Sequence, residues 1–112
     1  MVKRINDRDF EDLIVQMGKK PFAVAFMSAV SVPCEMFKKE LAVMPELMGT
    51  KLPFYHMDLD ENPTICEELG INAIPMLVIY RDEEEIKRFE GPYSREALKE
   101  RLEDLLTKKK TK

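Results

Sequence analysis

Cysteine, histidine and glycine are scarce in this sequence, which has two, one and four of them in 112 residues. Two cysteines, Cys34 and Cys66, are too few for the disulfide framework of a small secreted domain, and their spacing is not that of metal ligands. No metal and no cofactor is therefore expected. An apolar run long enough to span a membrane is also missing, because the longest one is broken by Ser28 and Ser31. Met1-Val-Lys-Arg-Ile-Asn-Asp7 carries charges with no hydrophobic segment behind them, so no signal peptide is expected and the cytoplasm is the default location. With 18 basic against 21 acidic residues and a net charge of −3, nothing points to nucleic acid. There is no internal repeat, low-complexity stretch or linker, so residues 1–112 read as one domain. At 45% apolar and 35% charged, the chain is an ordinary soluble globular protein, large enough to bury a core without disulfide staples.

What is present is an alternation of helical and strand patterns. Asn6 is an N-cap candidate with acids in the following turn. Phe10, Leu13, Ile14 and Met17 then recur at helical spacing up to a stop at Gly18. Phe22–Met27 is a short apolar run of the kind found in buried strands, and a helix from Cys34 runs until Pro45 ends or kinks it. Leu52–Leu59 reads as a second strand, and Asp60-Glu-Asn-Pro63 as the cap of a short helix over Thr64–Leu69 that Gly70 closes. These crossovers are too long for hairpins, so the two strands are expected to pair in parallel. Met76–Tyr80 and Glu85–Glu90 form a hairpin, making the far side antiparallel. Its connection contains no glycine to supply positive φ and is expected to exceed two residues. Ser94 opens a final helix with Leu98, Leu102, Leu105 and Leu106 on one face. Lys108–Lys110 suit its negative end, and Thr111 and Lys112 are expected to fray. The sum is an α/β fold with a mixed sheet of four strands, or five with a short one around Val2–Ile5, and helices on both faces.

The stretch that carries chemistry is Phe22-Ala-Val-Ala-Phe-Met-Ser-Ala-Val-Ser-Val-Pro-Cys34-Glu-Met-Phe37. In it a strand delivers a cysteine to the start of a helix. There the unpaired N–H groups and the positive end of the macrodipole favour thiolate over thiol. Pro33 fixes φ as the opening of a helix requires.

The order of strand, Pro33-Cys34, helix, and then Ile74-Pro75 before Met76–Tyr80, resembles the thioredoxin family, whose active loop reads Cys-x-Pro-Cys and whose second landmark is a cis proline opening a later strand. The resemblance covers roughly Asn6 to Leu106 and implies a thioredoxin fold and thiol–disulfide oxidoreductase activity. It places Cys34 at the second, resolving cysteine, Pro33 before it, Pro75 at the cis proline, and Gly91 at the small residue beside which a substrate backbone lies. Ser31 stands where the family has its attacking cysteine. The resemblance further implies a groove around Ser31 and Cys34 formed by Val32, Pro33, Ile74, Pro75 and Gly91. Its partners would be protein or peptide substrates and a reductase, bound to a monomer.

Disulfide exchange needs a thiolate as attacker and a sulfur as leaving group, and a serine hydroxyl supplies neither. The chain is therefore expected to be weak or inactive as a dithiol reductase. The other reading is a non-catalytic peptide- or protein-binding module that uses the same groove. A monothiol enzyme acting on glutathione adducts through Cys34 is the weakest reading. Ser31 itself is either a genuine divergence or a Cys→Ser replacement that silences a Cys-Val-Pro-Cys site. Two further departures favour divergence: Ala25 stands in place of a buried aspartate, and Val30 in place of the aromatic before the attacking cysteine. The sequence contains no tryptophan.

His56 lies about where the family has a lysine near that aspartate. It reads as a neutral strand histidine, with a base toward Cys34 as the sharper alternative. Cys66 reads as a small buried hydrophobe, not expected to pair with Cys34. Met27, Met36, Met44, Met48 and Met57 read as core packing, and Asp82–Glu85 as a solvated turn.

Overall fold

Every residue from Phe22 to Met27 is buried, and none is more than 6% exposed. That strand is central because its alternate side chains serve two cores. Ala23, Ala25 and Met27 join one, while Phe22, Val24 and Phe26 join the other. The computed structural model describes residues 1–107. Its elements are β1 (Lys3–Arg4), α1 (Asp7–Met17), β2 (Phe22–Met27), α2 (Val32–Ala42), α3 (Met44–Met48), β3 (Phe54–Asp58), α4 (Pro63–Glu68), β4 (Met76–Arg81), β5 (Glu84–Glu90) and α5 (Arg95–Thr107). The five strands form one sheet in the order β1-β3-β2-β4-β5. β1 and β2 are parallel to β3, whereas β4 is antiparallel to both β2 and β5. The expected mixed sheet is thus present with the fifth strand included. The expectations for Lys108–Lys110, Thr111 and Lys112 lie outside the described residues.

One face is covered by α2, α3 and α5 through Cys34, Phe37, Leu41, Met44, Met48, Leu98 and Leu102. The other is covered by α1 and α4 through Phe10, Ile65 and Cys66. Cys34 and Cys66 are therefore free thiols in separate cores on opposite sides of the sheet. Local signals set the helix ends. Asn6 and Asp9 form a reciprocal capping box, Asp9 N–H donating to Asn6 Oδ1 at 2.8 Å and Asn6 N–H to Asp9 Oδ2 at 3.0 Å. Pro45 ends α2 by opening α3 in its first turn.

Three expectations are corrected. The β4–β5 connection is only two residues long, and Asp82 (φ 57°) and Glu83 (φ 63°) both adopt the left-handed conformation without a glycine. Two-residue loops of this hand match the strand twist, and the well-paired sheet here outweighs a local cost of roughly 1 kcal/mol at a non-glycine position. Glu83→Gly is accordingly expected to stabilise the protein by about 0.5–1 kcal/mol in urea denaturation, and a destabilised variant would contradict this. Asn62 does not cap α4 with its side chain. Its amide donates to the carbonyl of Asp58 at 3.0 Å and its Oδ1 accepts from Asp7 N–H at 3.1 Å, tying the β3–α4 loop to the start of α1. Met36 is not a core residue, being 60% exposed.

A bulge interrupts the hairpin: Ile79 faces Lys87 but Tyr80 faces Glu85, so Ile86 is skipped.

Candidate functional site

β2 ends at Met27, and the chain reaches α2 through Ser28-Ala-Val-Ser31. Ser28, 7% exposed, fastens this loop. Its Oγ donates to Asp60 Oδ2 at 2.7 Å and accepts from Val30 N–H at 3.3 Å. Its carbonyl accepts from Ser31 N–H at 3.3 Å. Neither Ser28 nor Asp60 stood out in the sequence, where the one interrupted an apolar run and the other belonged to a cap.

Ser31 is the N-cap of α2. Its Oγ accepts from Cys34 N–H at 3.2 Å, and Val32 and Pro33 occupy the exposed first turn. Helix geometry therefore brings the hydroxyl at 31 and the residue at 34 onto the same turn. Cys34 is 2% exposed, with Sγ accepting from Ser28 N–H at 3.5 Å.

The other landmarks converge on the same end of the sheet. Met76, the first residue of β4, pairs with Phe26 near the end of β2 and with Glu90 at the end of β5. Ile74 and Pro75 therefore stand just ahead of β4 beside the α2 loop, joined by a cis peptide bond, and Ile74 packs against the core that contains Cys34. Gly91, at φ 89°, follows β5 and donates its N–H to the carbonyl of Pro75 at 2.8 Å. The seven residues singled out in the sequence, Ser31, Val32, Pro33, Cys34, Ile74, Pro75 and Gly91, thus lie at one end of the molecule. Around them the surface is apolar: Val30 is 88% exposed, Val32 67% and Met36 60%. Val32 and Met36 are four apart and share one face of α2.

Beneath α2 a cleft of about 210 Å³ reaches Cys34 from the side of β1 and β3, lined among others by Arg4, Ser28, Glu35, Lys38, His56 and Asp58. His56 is paired with Ala25 in the β2–β3 ladder and so points to the same layer as Cys34. Burial, then the positive charges of Lys38 and Arg4, push its pKa below the ordinary imidazole value, which keeps the half-buried ring neutral at pH 7. Ala25, its partner on β2, is fully buried in the core that contains Cys34, so His56 is the titratable group that the ladder places next to that core from β3.

Cys66 lies in the opposite core and is fully buried. Burial, followed by the nearby charge of Asp58, pushes its thiol up to about 11. At pH 8 its thiolate population is then roughly a hundredfold below that of an ordinary free thiol, before any loss of access is counted. Native-state alkylation followed by mass spectrometry should leave Cys66 unmodified until denaturant is added, and labelling at the unfolded-chain rate would refute its inert role.

The family profile described as Thioredoxin matches residues 1–104. A thioredoxin of Alicyclobacillus acidocaldarius subsp. acidocaldarius is 30% identical over 102 residues, covering 91% of this chain and 95% of that one. A thioredoxin of Listeria monocytogenes serovar 1/2a is 32% identical over 100 residues, covering 89% and 94%. The crystal structure of chloroplastic thioredoxin z matches in fold, with a TM-score of 0.82 at 24% identity over 93% of each chain. The active loop, the proline ahead of β4 and the glycine after β5 fall in one place on this sheet, and relatives align along nearly its whole length: the chain belongs to the thioredoxin family, with the thiol–disulfide oxidoreductase-like role of that family.

Proposed function

We propose that this chain keeps the protein-binding end of a thioredoxin and has lost the dithiol cycle, with Ser31 at the attacking position and Cys34 as a single buried thiol behind it. The carrying observation is that the accessible position of the active loop holds a hydroxyl used as a helix cap, while the one sulfur of the loop is 2% exposed. A serine hydroxyl is not ionised near neutral pH, and no mixed disulfide can form on oxygen. In insulin reduction by dithiothreitol the chain is expected to run no faster than the uncatalysed reaction. An ordinary thioredoxin rate would overturn the proposal.

The binding half of this reading rests on the surface around Ser31. Val30, Val32 and Met36 are large apolar side chains held open to solvent, a pattern associated with interaction sites. Ile74 makes no backbone hydrogen bond among the described residues, so its peptide groups are available to pair with an extended segment. Thioredoxins act on protein substrates, and an extended protein segment laid between Val32 and Gly91 is the occupant that this surface fits. Such binding should survive Cys34→Ala, which removes no surface group, and weaken about tenfold or more when Val30 and Val32 are both replaced by Asp. Dependence of the binding on Cys34 would point instead to a monothiol mechanism. The cytoplasm is our proposed setting, since the two thiols lie in separate cores and depend on no oxidising environment.

A further inference from the structure

We propose that the groove between α1, α4 and the β4–β5 turn, on the layer opposite Ser31 and Cys34, docks a basic amphipathic helical segment of a partner protein. The groove encloses about 430 Å³, with Phe10, Ile14 and Tyr80 in its apolar lining and Glu11, Glu68 and Glu83 among its polar residues. Those three carboxylates come from three different elements, are exposed, and form no salt bridge among the described residues. A fourth, Glu85, is held by Arg88 at 2.5 Å. Charge alone does not make a site, but Tyr80 adds an independent sign. It is 3% exposed, lines the groove, and its hydroxyl has no hydrogen-bond partner among the described residues. Native proteins rarely leave a buried hydroxyl unpaired, and this one, covered beneath the groove, gains a partner when an incoming donor displaces the side chains over it.

The chemistry of the lining selects the occupant. A small polycation would meet the carboxylates but leave the part-exposed Ile14 and Leu69 uncovered, and an apolar ligand would strand three charges. Arginine or lysine on a helix answers both, since the alkyl stem lies on the apolar floor while the head reaches the rim carboxylates and an N–H can meet the Tyr80 oxygen. A groove between two helices is the geometry into which an amphipathic helix lays one face. Val15, one turn beyond Glu11 on α1 and 66% exposed, extends the apolar rim for such a helix.

The test uses the full chain, ¹⁵N-labelled. It is titrated with a synthetic helical peptide bearing leucine and arginine at i, i+3, i+4 spacing, with the same peptide carrying glutamate for arginine, and with spermine. The basic peptide alone is expected to shift resonances of α1, α4 and the β4–β5 turn. Its affinity should drop about tenfold or more in the triple variant E11Q/E68Q/E83Q, whose exposed substitutions leave the fold intact, and fall with added salt. Tyr80→Phe should weaken the peptide severalfold while raising the thermal midpoint, because the change removes an unpaired buried hydroxyl. The proposal is overturned by absence of binding, by spermine reproducing the same shifts at equal affinity, by shifts confined to the surface around Ser31 and Gly91, or by Tyr80→Phe binding as well as the parent.

Discussion

Replacing Ser31 with cysteine is expected to raise insulin disulfide reduction by this chain from the uncatalysed rate to a clear catalytic one, since it restores a missing nucleophile. The position is already built for a thiolate: it caps α2, whose free N–H groups and dipole stabilise negative charge there, and it is flanked by the exposed Val30 and Val32. The new thiolate would attack one sulfur of the substrate disulfide and expel the other as a thiolate. Cys34, three residues along the same helical turn, would then attack the mixed disulfide and release the second substrate sulfur. Ala25 sets the ceiling, because no carboxylate faces Cys34 from β2 to take its proton. The variant should therefore remain slower than a dithiol thioredoxin that has one. It should also lose about 1 kcal/mol of stability with the cap hydroxyl. A variant as inert as the parent would show that the loop geometry, and not the missing sulfur alone, blocks the cycle.

The largest stability effect is expected at Phe37→Ala, with a loss of about 4 kcal/mol in urea denaturation. Phe37 is 1% exposed and stands with Cys34 and Leu41 on the inner face of α2 at spacings of three and four, facing a core shared with α3 and α5. Removing its ring deletes the transfer free energy and leaves a cavity that close-packed neighbours refill only in part. Against a total of roughly 5–15 kcal/mol for a typical domain, that loss is a large share. Because α2 carries the active loop in its first turn, Cys34 should also become faster to alkylate in native buffer. Met36→Ala, one residue earlier and 60% exposed, is the control, expected to change stability by less than about 0.5 kcal/mol. A loss under about 1.5 kcal/mol at Phe37 would mean that α2 is anchored elsewhere.

The parts of this molecule legible in its sequence are those in which one local rule acts alone. β2 was readable to the residue because a strand buried on both sides is an unbroken apolar run with clear edges. α1 was readable because Asn6, Asp9, the apolar stripe and Gly18 all point the same way. The site was legible through the order of its landmarks along the chain. What escaped were features decided by partners distant in sequence. The Ser28–Asp60 bond joins residues 32 apart, and Asn62 leaves its own helix for Asp7. Met36 has the composition of a core residue, yet its place on the outer face of α2 exposes it. The β4–β5 turn has Asp82 at its first position but Glu83 where glycine is usual, and its conformation is enforced from outside, by the pairing of the strands on either side and by the bond from Asp82 N–H to the carbonyl of Gly18 at 2.8 Å.

The skipped residue in β5 has a consequence beyond its own kink. In an unbroken strand, positions three apart project to opposite faces, and Glu85 could not reach Arg88. The half-step introduced at Ile86 brings both to the α4 side and turns Ile86 toward the other layer. Arg88, steadied by Glu85, donates to the carbonyls of Leu69 and Gly70 and so closes off the trailing end of α4 with a cation. One surplus residue in an edge strand thus acts as a latch, bolting the hairpin to a helix that is otherwise only six residues long.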